Sequence, residues 1–343
     1  MRPAPTKVAV LGAGSWGTTF AKVVADCGAA TGTDVQLWAR RAEVANEINN
    51  HRRNTRYLGE IVLPGNVTAS NDPAAVLAGA ELVVLAVPAQ TLRSQLRMVR
   101  EAIPAGAVVV SLMKGLERGT DARMSQVISE ELDWPVDAIA VVSGPNLAME
   151  IAREEPTASV VACTDAETAA WIAAACTPEY FRPYTNTDLV GVEVGGIVKN
   201  VIALAVGICD GRGMGDNTKA SVITRGLAET TRLALALGGQ LETMSGLAGL
   251  GDLVATCSSP LSRNRTAGRL LGEGLTLVEV NAAMTQTAEG IKSGPAVLDL
   301  ARGLGVEMPI TEAVVHVLDG ELTVDAMASR LLGRELKSEG EKA

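Results

Sequence analysis

The sequence predicts an α/β unit over residues 1–187, an all-α unit over residues 188–334 and a flexible tail at 335–343. Three observations carry this reading. Short β-branched runs alternate with helical segments through the first half. A glycine-rich turn follows the first of those runs. From Asp188 onward the β-branched runs stop, and apolar residues recur at the 3.6-residue period of a helix. A chain of 343 residues, 47% of them hydrophobic, is long enough for two domains with cores of their own.

The elements follow in order. Runs at 7–11, 34–38, 82–87, 107–112, 139–142 and 159–163 read as strands. They are continuously apolar rather than alternating, which is how strands covered on both faces of a parallel sheet look. Segments 17–27, 41–50, 91–101 and 122–132 between them are helical in character, giving βαβ units and a mostly parallel sheet. The second half reads as helices at 188–209, 216–237, 263–272, 276–283, 289–305, 309–319 and 323–332. The stretch 188–209 is the most apolar, but Glu193, Gly195, Gly196 and Lys199 interrupt it and Asp188 and Asp210 bound it. It is expected as a buried helix rather than a membrane span. The apolar run 314–318 would suit a homodimer contact, and core packing gives the same pattern.

Charge and cysteine usage exclude several classes. With 39 acidic against 30 basic side chains the formal charge is −9, which opposes a nucleic acid or an anionic membrane as the main partner. An anionic small substrate would need a local basic pocket. Cysteines 27, 163, 176, 209 and 257 form no CxxC pair and have no companion histidine cluster, so neither a disulfide framework nor a metal site is expected. That usage, and a start that runs straight into a strand without a signal peptide, predicts a cytoplasmic protein.

The first strand leads into Gly12-Ala13-Gly14-Ser15-Trp16-Gly17, a GxGxxG pattern in its strand-to-helix context. Gly12 permits the tight turn, Gly14 lets a pyrophosphate approach the backbone and Gly17 allows helix and strand to pack closely. A dinucleotide cofactor is implied. At the end of the second strand, where an NAD site usually presents an acidic residue to the ribose, Arg40 and Arg41 stand instead. They suit the 2′-phosphate of NADP, although surface charges at a helix start would look the same, so the expectation is NADP or NAD with NADP preferred.

Two later turns fall at strand ends, where α/β folds bind ligands. Lys114 follows one strand and could neutralise a phosphate or be a solvated surface charge. Ser143-Gly144-Pro145-Asn146 follows another and could offer backbone N–H groups to an anion or be an ordinary turn.

Lys199 is the most informative residue. It lies in a helix apolar nearly all round, so it either snorkels or is desolvated beside a partner. Desolvation lowers the pKa of an ammonium and equips it for proton transfer near neutrality. Gly195 and Gly196, costly inside a helix, make sense if another segment or a ligand packs against them. Asp252, the one acid of the segment Gly246-Leu247-Ala248-Gly249-Leu250-Gly251-Asp252-Leu253, is a candidate partner for the lysine or a helix cap. Ser262-Arg263-Asn264-Arg265 sets a hydroxyl, an amide and two guanidiniums at a helix start, which is phosphate chemistry or a capped surface helix. Glu289-Gly290 opens another helix and either reaches the cofactor or caps by charge. His51 and His316 are remote from every glycine motif, so lysine is the better proton-transfer group.

Together, GAGSWGT at 12–18, residues 37–40, Lys114-Gly115, Gly144-Pro145-Asn146, Val198-Lys199-Asn200-Val201, residues 246–253, residues 262–265 and Glu289-Gly290 resemble the bacterial NAD(P)-dependent sn-glycerol-3-phosphate dehydrogenase family. The match runs from about residue 7 to about residue 332. The resemblance implies a Rossmann-type N-terminal domain and an α-helical C-terminal domain like that of 6-phosphogluconate dehydrogenases. It implies reversible hydride transfer between NAD(P)H and dihydroxyacetone phosphate, giving sn-glycerol 3-phosphate for phospholipid synthesis.

By the same resemblance, Ser15, Trp16, Arg40, Arg41 and Ala148 line the nucleotide, and Lys114 touches cofactor and substrate. Lys199 is implied as the proton acceptor. Gly144, Asn146, Asp252, Ser262, Arg263 and Asn264 hold the substrate, while Arg263, Thr287 and Glu289 close over the nucleotide. Asn146 is often Ser or Thr in the family, and Thr287 is often aliphatic. The competing readings are a reductase of the same architecture acting on a hydroxy or keto acid, and a non-catalytic NADP sensor.

Overall fold

The sheet is built from the apolar runs, with two additions. The computed structural model describes residues 2–284 and 288–332; Thr287 and the 335–343 tail lie outside the described residues. Within them are β1 (Lys7–Leu11), β2 (Asp34–Trp38), β3 (Val67–Ser70), β4 (Leu82–Leu85), β5 (Val108–Ser111), β6 (Ile139–Ser143), β7 (Thr157–Cys163) and β8 (Phe181–Asn186). They form one sheet in the order β3-β2-β1-β4-β5-β6-β7-β8, parallel throughout except between β6 and β7. The two additions, β3 and β8, are the edge strands. An edge strand need not be apolar on both faces, and the exposed Thr68 of β3 and the Arg182-Pro183 pair of β8 hide both from a search for continuous runs.

Helices α1 (Ser15–Gly28), α2 (Ala42–His51), α3 (Thr55–Leu58), α4 (Pro73–Leu77), α5 (Leu92–Val99), α6 (Met124–Leu132), α7 (Ala148–Ala152) and α8 (Ala166–Ala175) accompany the sheet. Separate apolar clusters bury its two faces, one around Phe20, Leu37 and Ile172, the other around Leu85, Leu92 and Ile128.

The chain leaves β8 for the helices α9 (Leu189–Gly211), α10 (Asp216–Ala236), α11 (Leu241–Ser245), α12 (Asp252–Ser258), α13 (Arg263–Gly272), α14 (Leu277–Ala283), α15 (Glu289–Gly303), α16 (Pro309–Leu318) and α17 (Val324–Leu332). The expected helices are all present, and residues 241–258, of which 246–253 read only as a glycine-rich segment, add α11, a π turn at Leu247–Gly251 and α12.

α9 is the axis of this half. It is long and apolar enough to cross a membrane, but 94% of its most apolar window is buried inside the protein, as a core helix would be. Gly207 of α9 and Gly268 of α13 let the two helices touch backbone to backbone. Val314 and Leu318 of α16 pack into the same helical core, so core packing accounts for the apolar run at 314–318.

The N-terminal part of α9 docks on the sheet. Leu189 and Val192 share a small apolar cluster with Val141 of β6 and Val160 of β7. Glu193, also buried, accepts hydrogen bonds from Ser125 N at 2.9 Å and Ser125 Oγ at 2.6 Å and pairs with Arg123 at the start of α6. A charge removed from water this far is tolerated because it is paired and fully hydrogen-bonded. The anchor ties the first turns of α9 to the start of α6.

Candidate active site

The glycine turn lies where the strand order reverses, between β1 and β4, the place where open α/β sheets bind ligands beyond the strands' carboxyl ends. Gly12 has φ +123°, and a Cβ there would stand 2.4 Å from Ala86 O, so only glycine fits. Gly17 packs onto the carbonyl of Gly12. Gly14 precedes α1 with extended backbone and no side-chain cap, and nothing lies within 4 Å of where its Cβ would be. The first turn of α1, starting at Ser15, thus has no capping side chain and the backbone at Gly14 is open to a close-approaching group, as a pyrophosphate site requires. Asn54, fully buried, braces the turn by donating to Ala13 O at 3.1 Å and Thr18 Oγ1 at 2.9 Å.

Arg40 is exposed and Arg41 half-buried, between the carboxyl end of β2 and the start of α2. Ala148 starts α7, and its carbonyl accepts from Thr19 Oγ1 of α1 at 3.2 Å. Trp16 Nε1, both amide atoms of Asn146 and Glu289 Oε2 are buried without a protein partner. Such groups cost about 1–3 kcal/mol each when unsatisfied. Trp16 belongs to the glycine turn, Asn146 follows β6 and Glu289 opens α15, and unsatisfied groups of this kind fit a dinucleotide and a polar substrate.

Lys199 sits at the centre. Its side chain is 8% exposed and pairs with Asp252, whose side chain is 1% exposed. It also donates to Thr256 Oγ1 at 2.6 Å. The other carboxylate oxygen of Asp252 accepts from Lys114 Nζ at 2.7 Å, and Lys114 Nζ donates in addition to Gly144 O at 3.0 Å. Of the two readings of Lys199, the desolvated one with a partner holds. Burial, aided by the nearby Lys114 charge and opposed by Asp252, lowers its pKa from 10.5 to about 7.

The glycines beside Lys199 receive other chain segments. A Cβ on Gly195 would stand 2.6 Å from Ala248 O in the π turn, and one on Gly196 would stand 2.8 Å from Ser143 Oγ and 3.3 Å from Lys114 Cγ. The π turn, closed by Gly251 N donating to Gly246 O at 3.1 Å, delivers Asp252 to the lysine.

A second set of bonds joins three helices. Asn264 Nδ2 donates to Asn200 Oδ1 at 2.8 Å, and Asn264 Oδ1 accepts from Gly290 N at 2.8 Å. Both ends of this amide are thus engaged by the protein. Ser262 caps α13 by accepting from Arg265 N at 3.2 Å, so the capping alternative is realised, with Arg263 in the first turn behind it. Arg265 points elsewhere and pairs with Asp210 at 2.5 Å, so one of the two guanidiniums expected together is taken. Burial pushes the Glu289 carboxyl up, while Lys292 and Arg263 oppose this.

Two family models match in succession, described as NAD-dependent glycerol-3-phosphate dehydrogenase N-terminus over residues 7–169 and C-terminus over residues 188–329. The chain belongs to the NAD-dependent glycerol-3-phosphate dehydrogenase family. It is 61% identical over 313 residues to glycerol-3-phosphate dehydrogenase (NAD(P)+) of Thermobifida fusca, covering 91% of this chain and 92% of that protein. It is 57% identical over 336 residues to the protein of the same name from Streptomyces griseus, covering 98% of both. Among solved structures, glycerol-3-phosphate dehydrogenase from Coxiella burnetii superposes with a TM-score of 0.90 at 37% identity, over 97% of this chain and 100% of that one.

Within this glycerol-3-phosphate dehydrogenase scaffold, sequence reasoning missed Asn54 and Thr256 and named Ser143 and Asn200 only as members of longer motifs. Thr256 carried a signal: it lies four residues after Asp252 and so on the same helical face. Asn54 carried none, because its bonds to the glycine turn span 36 and 41 residues of chain.

Proposed function

We propose that this chain catalyses NAD(P)-dependent interconversion of dihydroxyacetone phosphate and sn-glycerol 3-phosphate, a precursor for glycerophospholipid synthesis, with Lys199 as proton acceptor and donor. The observation that carries the mechanism is the buried cluster Lys199–Asp252–Lys114 beside the glycine turn at the carboxyl edge of the sheet. The nicotinamide, when bound, supplies or accepts hydride at C2 of the three-carbon substrate.

The chain's own residues do the rest. Lys199 takes the C2 hydroxyl proton in oxidation and returns it to the carbonyl oxygen in reduction, which a lysine lowered to about 7 can do near neutral pH. Asp252 and Thr256 hold its amine in place. Lys114 and Arg263, with Ser262 and the N-terminus of α13, supply the local positive field that an acidic chain needs to hold a phosphate. Asn146 and Gly144 face the substrate's hydroxyls; Asn264 acts by fixing Asn200 and Gly290 around it. Gly12, Gly14, Ser15, Trp16, Gly17 and Ala148 hold the dinucleotide, Glu289 reaches it from α15, and Arg40 and Arg41 favour NADP over NAD.

We place the boundary between the nucleotide unit and the substrate unit at 187/188 and the protein in the cytoplasm. The test offers purified protein dihydroxyacetone phosphate with NADPH, then with NADH, and follows loss of the reduced nicotinamide's absorbance. Consumption of either is the expected result. Bound cofactor without consumption would discard this reading and favour a reductase for keto acids or a sensor.

A further inference from the structure

Lys114 reaches the cluster across α9. It leaves the end of β5, and its aliphatic chain passes Gly196, where a Cβ would stand 3.3 Å from Lys114 Cγ and 3.5 Å from Lys114 Cδ. Beyond Gly196 its amine meets Gly144 O and the free oxygen of Asp252. Gly196 lies one helical turn before Lys199. A glycine inside a helix is costly relative to alanine, and here that cost falls where a side chain from another element crosses.

We propose that Gly196 is a positioning residue, its missing side chain forming the passage through which Lys114 crosses α9 to share Asp252 with Lys199. This rests on the function proposed above, since it assigns Gly196 a part in setting the charge that faces the proton acceptor. Of the other charged groups nearby, Glu193 is engaged with Arg123 and Ser125 and Arg265 with Asp210, while Glu289, with one oxygen unpartnered, feels the charges of Lys292 and Arg263. Cys257, on α12, is pushed up to about 12 by burial and stays neutral. Beyond burial, which is the largest cause of its lowered pKa, Asp252 and Lys114 are the charges that set the proton affinity of Lys199. With Lys114 displaced, one repelling charge leaves and Asp252 serves Lys199 alone, so Lys199 keeps its proton to higher pH.

Gly196→Ala and Gly196→Val fill the passage to increasing degree. Lys199 is titrated in the ligand-free protein by its acetylation with limiting acetic anhydride at a series of pH values, read by peptide mass spectrometry. The midpoint is expected to rise by about one pH unit. In parallel, kcat/KM for glycerol 3-phosphate falls by about a hundredfold in the valine variant, a larger loss than that in NADP+ affinity.

An unchanged midpoint and unchanged kcat/KM in a variant that melts like the wild type overturns the proposal. So does a loss shared equally by cofactor affinity and melting temperature with the midpoint unmoved. If Gly196→Val does not fold, Gly196→Ala is read against Ser143→Ala in a Ser143→Ala background. There the nearest competing atom is gone and Lys114 alone feels the new methyl group. Should the wild type fail to oxidise glycerol 3-phosphate, the functional reading falls while the acetylation midpoint still decides on Gly196.

Discussion

Lys199 and Asp252 stand 53 positions apart in the chain and meet as an ion pair with side chains 8% and 1% exposed. A lysine so placed is a proton-transfer group in waiting, because burial disfavours its charge while one carboxylate, shared with Lys114, keeps it from being lost altogether.

The two directions of the reaction should therefore show opposite pH limbs. Oxidation needs the neutral amine of Lys199 and reduction needs the ammonium. With the amine lowered to about 7, kcat/KM for glycerol 3-phosphate rises through about pH 7 and that for dihydroxyacetone phosphate falls through it. Limbs of the same sign in both directions would remove Lys199 from the role.

Lys199→Ala separates chemistry from binding. Turnover should fall by about 10²–10⁴-fold, the usual contribution of a positioned acid–base group. The dissociation constant for NADP+, read by quenching of protein fluorescence, should stay within about twofold, since proton transfer contributes to the transition state and not to cofactor binding. Comparable losses in both would make the lysine structural.

Stability should carry the same signature. The native pKa of Lys199 lies below its unfolded value, so between about 7 and 10.5 the unfolded chain binds the extra proton and wild-type stability gains with rising pH. Below about 7 the gain is absent. Lys199→Met has no such group, so the urea-unfolding difference between wild type and variant should move in favour of the wild type across that window. A constant difference from pH 6 to pH 10 would contradict the lowered pKa.

Arg40 and Arg41 together should set cofactor preference. The double change to serine removes charge-assisted contacts of about 1.5–3 kcal/mol to the 2′-phosphate. KM for NADPH should rise by about tenfold or more with KM for NADH nearly unchanged. Equal effects on both cofactors would return the arginines to ordinary surface charges.

Glu193 should matter for folding rather than chemistry. Glu193→Ala leaves Arg123, 14% exposed, without its counter-charge and frees the anchor between α6 and α9. Breaking a buried pair by deleting one partner costs about 3–5 kcal/mol. Urea unfolding should show that loss while kcat per folded molecule is retained. A loss under about 1 kcal/mol would mean water already reaches the pair.

Local sequence sets the class of both halves and the type of each chemical group. Continuous apolar runs specify strands buried on both faces, the helical period specifies the second half, and the glycine turn is specified locally, since Gly12 at φ +123° has no substitute. A lysine among apolar helix positions announced that something must compensate it. The tertiary structure alone decided what does. Asp252 reaches Lys199 on a π turn that rests on Gly195, and Lys114 reaches it over Gly196 from another element. Arg265 was drawn away to Asp210, Ser262 was used as a cap, and the edge strands β3 and β8 formed from polar segments because a neighbouring strand offered them hydrogen bonds. Periodicity and turn chemistry act over a few residues and can be read locally. Which charge meets which depends on how helices and loops cross in space, and that is fixed only when the whole core is packed.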